Sequence, residues 1–454
     1  MAGIITECEM EMARFCIERA KELGASASRV SLSKNILDSV TFFNGEFDKV
    51  THSSDRSIFL YIYVNDRYGT FSTNRLEKEE LSSFIAKAVE TVKILEADKF
   101  RKLPDPERLA KDARTGTETG LYDPSYFNED IDSRIDKARR MSIFKTLDDK
   151  NGFSPISEEC EWSDSIDDNW LIDSQGLEAR HIETSAGCFC EMNVSDADGN
   201  KYSAFSWDSS FSANEIKIEE CAGKALKKVL KKFSPKKSRG GRHKMVVSKS
   251  VSSRLVTPLL NALNMNSIQQ KMSFLMDSRG RKLFPEGLTI IDMPRENGHL
   301  GARYFDSEGV ATRNVPVIEN GVVKLYFTNT YMAAKTGEEP TMEDITRPCI
   351  MPYLKGREVT GQVVLKDLLK ECGNGIYVTG FNGGNCNPVT GDFSFGVEGY
   401  KFSRGRIVHP VKEMLVTGNI MELWNKIIAV GSECKKCTRW QIPDIAFEDV
   451  SFSS

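Results

Sequence analysis

Two segments near the start of the chain carry apolar residues at helical spacing, and runs of alternating polarity lie between them. Glu9–Leu23 has an apolar stripe that ends at Gly24, and Glu77–Leu95 repeats the pattern after an acidic first turn. The alternating runs are Arg29–Leu32, Leu37–Asn44, Glu46–Ser53 and Ser57–Val64. Alternation predicts strands, and Asn44-Gly45 predicts a hairpin. We therefore expect helices packed on an antiparallel sheet, in the order α-β-β-β-β-α.

The next part of the chain repeats this mixture after a polar linker, Lys99–Gly120. Asn128–Leu147 and Asn214–Phe233 have helical patterns. Between them, four alternating runs joined by polar turns predict strands at Ser157–Trp162, Trp170–Ser174, His181–Asn193 and Lys201–Trp207. We predict an N-terminal α+β subdomain over residues 1–105 and a middle α+β segment over 106–233 that shares its sheet system.

The remainder, residues 234–454, is predicted to be a β-rich domain with short helices. A strand at MVVSKS precedes a helix over Ser252–Asn264, which Pro258 is expected to bend. Asp306–Leu325 contains an Asn-Gly hairpin signal. The fold class expected for the whole chain is α+β, with a helix and antiparallel-sheet N-terminal half and a β-rich C-terminal half.

Glycine is dense in Gly380–Val411, where three short alternating runs predict a β-meander. A Gly-Gly-Asn turn at Gly383–Asn385 and a second turn at Thr390–Asp392 are expected to separate the runs. From spacing alone, the favoured interpretation is that these glycines only serve the turns. The alternative is that they let another backbone approach this surface.

Charge and composition narrow the function classes. The 454 residues carry a net charge of −4, with a pI near 5.9, so the whole molecule is not attracted to nucleic acid or an anionic membrane. No apolar run reaches the roughly 20 residues of a membrane span, which predicts a cytoplasmic protein without a membrane partner. The eleven cysteines are expected to be reduced thiols. Cys434 and Cys437 form a lone CxxC, which is weak evidence for zinc.

The Asn214–Phe233 helix ends in a basic cluster that continues beyond it. Its residues are Lys227, Lys228, Lys231, Lys232, Lys236, Lys237, Arg239, Arg242 and Lys244. Nucleic-acid binding is one interpretation. The lysines flank Leu226, Val229 and Leu230 without interleaved aromatic residues, so a solvated helix face followed by a linker is favoured.

Several stretches resemble the TldD/PmbA family. They are Asp306–Gly337, Gly383–Tyr400 with its TGDFS element, and Ile407–Glu433 with HPV and TGN, and Tyr63–Leu76 and Trp170–Thr184 resemble its earlier signatures. The resemblance implies a family of metallopeptidases that mature or degrade small peptides, also described as modulators of DNA gyrase.

The family's TldD branch carries HExxxH on the first helix of the C-terminal domain, with a Cys near the C-terminus as a third zinc ligand. The corresponding helix here, within Ser252–Lys271, has neither His nor Glu, which leaves Cys437 as a lone counterpart of the ligand. The resemblance therefore implies a PmbA-type (TldE) chain without its own metal or catalytic residues. It would join a TldD-type HExxxH homologue, which holds the zinc, or a second copy of itself.

A strand edge can bind an extended peptide through backbone hydrogen bonds. The residues expected to contact a small unfolded peptide or the partner are Gly383, Gly384, Asn385, Gly391, Asp392, Ser394 and Gly396. Two other functions stay open, an autonomous hydrolase with another nucleophile and a protein that binds DNA or gyrase. The first lacks a G-x-S-x-G element, and the second is disfavoured by the acidic pI.

Overall fold

The computed structural model describes residues 2–148 and 152–454, and the chain forms two compact units. Unit 1 contains Met1–Lys231, Arg295–Thr312 and Ala333–Glu338, and unit 2 contains Lys232–Pro294, Arg313–Met332 and Glu339–Ser454. Both units mix helices with antiparallel strands, so the predicted α+β class is confirmed. The three sequence-based domain ranges stay a prediction.

Unit 1 is built on one six-stranded sheet with the order β3-β2-β1-β4-β5-β6. Its elements are α1 (Glu7–Glu22), β1 (Ala27–Phe43), β2 (Glu46–Val64), β3 (Arg67–Thr73), α2 (Lys78–Ile94), α3 (Ile131–Met141), β4 (Phe153–Asp173), β5 (Glu178–Asp196), β6 (Lys201–Ser210) and α4 (Glu219–Leu230). Short 3₁₀ helices lie at Pro106–Arg108, Pro124–Asn128, Phe144–Thr146 and Ala213–Glu215. The apolar faces of α1 and α2 bury a core against β1 and β2.

The strand count predicted for the first part of the chain is wrong. Two long strands, β1 and β2, each cover two of the predicted runs, and β3 follows them. The two strands stay paired through polar positions, where Lys34 lies opposite Arg56 and Asn35 opposite Asp55. Backbone hydrogen bonds continue there without an apolar signal in the sequence. The hairpin at Asn44-Gly45 is confirmed, because both residues have positive φ.

The predicted runs at Ser157–Trp162 and Trp170–Ser174 likewise belong to one strand, β4. The intervening residues include the buried carboxylates of Asp164 and Asp168. Arg134 pairs with Asp164, and Arg180 with Asp168, so a polar run is stable inside the unit.

Unit 2 contains an eight-stranded sheet, a four-stranded sheet and short helices. Its elements are β7 (Lys236–Lys237), β8 (Gly241–Val247), α5 (Ser253–Asn261), α6 (Met265–Gln269), β9 (Ile290–Asp292), β10 (Val315–Glu319), β11 (Val322–Val323), α7 (Thr330–Thr336, which ends in unit 1), β12 (Pro348–Ile350), β13 (Tyr353–Leu354), α8 (Leu365–Cys372), β14 (Gly375–Cys386), β15 (Asp392–Ser403), β16 (Arg406–Asn419), α9 (Ile420–Asn425), β17 (Ile427–Val430) and β18 (Ile445–Ser453). The predicted Asn-Gly hairpin is confirmed between β10 and β11.

Five strands of the larger sheet close on themselves. β18 pairs with both β8 and β16, and β14 and β15 complete the ring. The apolar side of α5 packs into the core of this unit, where the buried indole of Trp424 donates to the Leu255 carbonyl at 3.3 Å. Among the helices of the described residues, none has the length and apolar character needed to cross a bilayer.

Candidate functional site

The meander predicted at Gly380–Val411 is confirmed as β14, β15 and β16, which are neighbours in the sheet in that order. β14 and β15 are joined by a tight turn. The Asn387 N–H donates to the Asp392 carbonyl, and the Gly391 N–H donates to the Asn387 carbonyl, both at 2.8 Å. The predicted second turn therefore lies at the end of this connection.

The Gly-Gly-Asn turn is wrong, because these residues form a bulge inside β14. Asn382 lies opposite Gly396 and Asn385 opposite Ser394, so Gly383 and Gly384 together face one residue of β15. A Cβ on Gly384 would lie 1.9 Å from the Ser394 carbonyl oxygen. Glycine is thus required at Gly384 by the close approach of the neighbouring strand.

β14 has a strand neighbour on one side only over its second half. β8 pairs in parallel with Ile376–Val378 and no further, since β8 ends at Val247 and the chain turns into α5. In the described sheet, the stretch from Gly380 to Cys386 is paired with β15 alone. This part of β14 is a free strand edge.

A cavity of about 740 Å³ lies between α5 and the second half of β14. Its lining residues are Ser250, Val251, Ser253, Arg254, Thr257, Pro258, Asn261, Ala262, Ser267, Met272, Phe381, Asn385, Cys386, Pro388, Phe395 and Trp440. All of them belong to unit 2. The helix contributes positions three and four residues apart, which is one face of α5. An elongated ligand in this cavity would therefore lie beside the free strand edge.

Arg254 is the charged residue of this lining. Its Nη2 donates to the Gly384 carbonyl oxygen at 3.1 Å, and its guanidinium carbon lies 5.0 Å from the centre of the Phe395 ring. The hydrogen bond and the cation–π contact hold the planar guanidinium at the glycine bulge. Sequence reasoning missed this residue because it sought metal ligands on α5. The available signal was a lone cation on the polar side of that helix.

Of the seven residues predicted to bind a peptide or partner, Asn385 is the one found among the described cavity-lining residues. Asp392 is exposed and accepts hydrogen bonds from Asn419 Nδ2 at 3.0 Å and from Thr390 Oγ1 at 2.7 Å. These bonds lower the pKa of Asp392. Ser394 alternates with buried phenylalanines on β15 and is exposed. Binding by these residues stays a prediction.

The cavity contains hydroxyls and one thiol, but its described lining has no His, Asp or Glu to act as a base. Burial raises the pKa of the Cys386 thiol, and the Asp392 charge raises it further. A protonated thiol is a poor nucleophile. The arrangement therefore suits binding better than nucleophilic catalysis.

The residues of this cavity do not fit a zinc ion. Zinc in proteins is held by imidazole, thiolate and carboxylate ligands, whereas the described α5 face offers hydroxyls, an amide and a guanidinium. Burial raises the pKa of Cys434, in the C-terminal CxxC, to about 11. This thiol is therefore protonated near neutral pH.

Within the described ranges, one group of three possible ligands lies close together, and it is in unit 1. The ligand atoms of Glu158, Cys160 and Cys190 lie within 4.8 Å of one another, and all three residues are buried. The Glu158 carboxylate already accepts from the backbone N–H groups of Ile143 at 3.0 Å and Phe144 at 3.3 Å. A hydrogen bond with Cys190 and then burial raise the pKa of Cys160. The three residues are therefore explained as two packed thiols beside a carboxylate that accepts hydrogen bonds from the backbone of a turn.

Four of the five histidines contact a carboxylate or a backbone carbonyl. His52 contacts Asp38 at 2.8 Å, and His181 contacts Glu183 at 3.3 Å. In unit 2, His243 and His409 contact backbone carbonyls. Among the described residues, no group of three possible metal ligands contains a histidine.

The basic cluster after α4 is partly neutralised by acidic partners. Lys232 pairs with Glu398 at 2.8 Å, and Lys237 with Glu413 at 2.6 Å. Arg242 pairs with Asp449 at 3.5 Å. These contacts reduce the positive field that binding to a phosphate backbone would need.

Comparison with known proteins first identifies the class of protein. The chain is related to metallopeptidases. Family models match residues 29–92, 126–233 and 240–454, and they describe the first, central and C-terminal domains of PmbA/TldA metallopeptidases. The metalloprotease PmbA of Escherichia coli O157:H7 is 24% identical over 98% of this chain and 97% of its own. The chain belongs to the TldD/PmbA family.

Solved structures agree with this assignment. A proposed modulator of DNA gyrase from Bacteroides thetaiotaomicron is 33% identical, with a TM-score of 0.92 over 99% of this chain and 100% of its own. TldE from Thermococcus kodakarensis shares the fold at 19% identity, with a TM-score of 0.79 over 98% of this chain and 100% of its own. The resemblance stated from sequence motifs is thereby confirmed.

Proposed function

We propose that this chain is the metal-free, peptide-binding subunit of a TldD/PmbA-type zinc peptidase. Its partner would be an HExxxH homologue that holds the zinc and performs hydrolysis. The observation that carries the proposal is the cavity of unit 2 between α5 and a free strand edge, because its described lining offers a single thiol and no His, Asp or Glu with which to hold zinc. A TldD homologue from Buchnera aphidicola is 25% identical over 69% of this chain, which supports common ancestry with the proposed partner.

The free edge of β14 supports an extended, unfolded peptide as the ligand. A peptide added beside Gly380–Cys386 would hydrogen-bond through its backbone, so little of its sequence would be specified. Phe381 and Met272 offer apolar surface for its side chains. Small unfolded peptides are therefore the proposed substrate class, in maturation or degradation.

A reducing compartment, the cytoplasm, is part of the proposal. All eleven cysteines are free thiols, and most are buried. Free thiols persist where glutathione and thioredoxin keep them reduced.

Co-expression with an HExxxH homologue tests the division of labour. The chain alone, the homologue alone and the complex are each assayed for zinc content and peptide cleavage. We expect zinc in the homologue and the complex, and cleavage above that of the homologue alone only in the complex. Stoichiometric zinc in the isolated chain together with robust cleavage would sink the proposal.

Peptide binding is tested on the isolated chain with N-methylated peptides. Methyl groups on alternate backbone nitrogens remove the donors that strand addition needs, so affinity should fall for one methylation register and not for the other. Equal affinity for both registers would contradict strand addition. A DNA mobility assay at low salt addresses the gyrase-type alternative, for which we expect no shift.

A further inference from the structure

Arg254 is a cation without an acidic partner among the described residues. Its contacts are the hydrogen bond to the Gly384 carbonyl and the stacking on Phe395. It is the single charged side chain in the described lining of the cavity. By contrast, Lys249, which lies just before α5, pairs with Glu433 at 3.0 Å. The positive charge of the cavity is therefore available to a ligand.

The position of Arg254 in α5 increases this positive potential. It is the second residue of the helix, and the N-terminus of a helix carries a partial positive charge that disfavours a cation. Ser253 and Asn261 add uncharged polar groups along the same wall. Arg254 is exposed, so its charge is solvated, and the helix N-terminus adds to the positive potential that an anion in the cavity would meet.

The contact with Gly384 also sets where a bound strand would stop. Arg254 donates a hydrogen bond to the Gly384 carbonyl oxygen, which lies in the part of β14 that has a strand neighbour on one side only. A peptide that adds along the edge from Gly380 would meet the guanidinium at this point. The end of a peptide that pairs from Gly380 would therefore lie next to the guanidinium.

We propose that Arg254 binds the C-terminal carboxylate of the peptide, so that the cavity selects peptides by their free end. This inference rests on the proposed peptide-binding function. A guanidinium presents its donors as a planar fork that matches both oxygens of a carboxylate. One N–H group holds the Gly384 carbonyl, and the cavity that Arg254 lines has no competing acid in its described lining.

The test compares two forms of one peptide on the purified full chain. An N-terminally fluorescein-labelled peptide of Ala, Val, Ser and Thr is made with either a free C-terminal carboxylate or a C-terminal amide. Fluorescence anisotropy gives both affinities for the wild-type chain, Arg254→Gln, Arg254→Lys and the control Arg281→Gln. Arg281 is exposed in the same unit, and among the described residues its side chain hydrogen-bonds only to the Asp277 carbonyl.

We expect the carboxylate form to bind roughly tenfold or more tightly than the amide form. Arg254→Gln should abolish this preference and leave amide binding nearly unchanged. Arg254→Lys should retain part of the preference, because the charge remains and the fork is lost. Arg281→Gln should behave as the wild-type chain does.

Three outcomes would overturn the inference. Equal binding of both peptide forms would remove it while leaving peptide binding intact. An equal loss of both forms in a folded Arg254→Gln variant, checked by circular dichroism, would assign the residue a structural role. Displacement of both forms alike by inorganic phosphate would indicate a general anion site. Absence of binding by either form would instead overturn the proposed peptide-binding function itself.

Discussion

The buried Arg180–Asp168 pair in the sheet of unit 1 is held by several hydrogen bonds, whereas the exposed Arg254 in the cavity of unit 2 has no acidic partner among the described residues. In unit 1, Arg180 donates to both oxygens of Asp168, at 2.9 Å and 2.7 Å, and the N–H groups of Ile4 and Ile5 donate to the same carboxylate. In unit 2, Arg254 contacts one carbonyl oxygen, that of Gly384, and one aromatic ring, that of Phe395. The difference separates residues that stabilise the fold from residues available to a ligand.

Asp168→Ala should give the largest effect. It leaves the Arg180 guanidinium buried without a partner and releases the backbone of Ile4 and Ile5, which should lower the free energy of unfolding by about 3–5 kcal/mol. Urea denaturation measures the change. The matched control is Glu90→Ala, which removes an exposed partner of Lys93 and should cost less than about 1 kcal/mol. If both variants lost a similar free energy of unfolding, the buried pair would stabilise the fold no more than the exposed pair does.

The next largest effect concerns Asp292 in unit 2, and it is a dependence of the free energy of unfolding on pH. Burial raises its pKa to about 6, although the N–H groups of Arg347 and Thr346 oppose the rise. The folded state then binds more protons than the unfolded state between pH 4 and 6. Stability is therefore highest below the ordinary pKa of 3.8 and falls as the pH rises through about 6, by at most about 3 kcal/mol for this group.

Asp292→Asn should flatten this part of the stability profile, because the amide does not titrate. Urea denaturation at several pH values compares the variant with the wild-type chain. A variant that keeps the full decline between pH 4 and 6 would show that another group is responsible.

Gly384→Ala should have a smaller effect that is specific to the cavity edge. The added Cβ would meet the Ser394 carbonyl oxygen at 1.9 Å, so β14 must shift, at a cost of roughly 1–3 kcal/mol. Gly383→Ala is the matched control, since nothing lies within 4 Å of its Cβ position and only the positive φ is strained. Peptide affinity should fall in the first variant more than in the second. Equal losses would mean that the bulge does not shape the binding edge.

Removal of metal should have the smallest effect. Because the Glu158 carboxylate is occupied by backbone donors and a hydrogen bond with Cys190 raises the pKa of the Cys160 thiol, a chelator should leave the melting temperature of the isolated chain unchanged. Differential scanning fluorimetry with and without chelator checks this. A clear drop that zinc restores would indicate a bound metal at the thiol group.

Local patterns predicted many elements correctly, and the errors have physical causes. The amphipathic helices α1 and α2, the Asn44-Gly45 hairpin and the meander of β14 to β16 follow from periodicity and turn chemistry. The breaks predicted inside β1, β2 and β4 were wrong, because polar residues there are stabilised by cross-strand partners or by buried arginines. Such partners are distant in sequence and leave no local signal.

The candidate site was likewise predicted only in part from the sequence. Motifs in the chain were sufficient for the family and for the absence of HExxxH on α5. The bulge at Gly383 and Gly384 could not be distinguished from a turn, since glycine with positive φ serves both. The cavity was not predicted, because its two walls lie more than a hundred residues apart in the chain.

Sequence alone determined the α+β class, the family and the lack of zinc ligands on α5, because these depend on residue types and short spacings. Tertiary structure alone decided that β14 has a free edge and that Arg254 meets Gly384 across the cavity without an acidic partner in the described residues. The physical reason is that strand pairing and charge compensation depend on which distant segments approach one another.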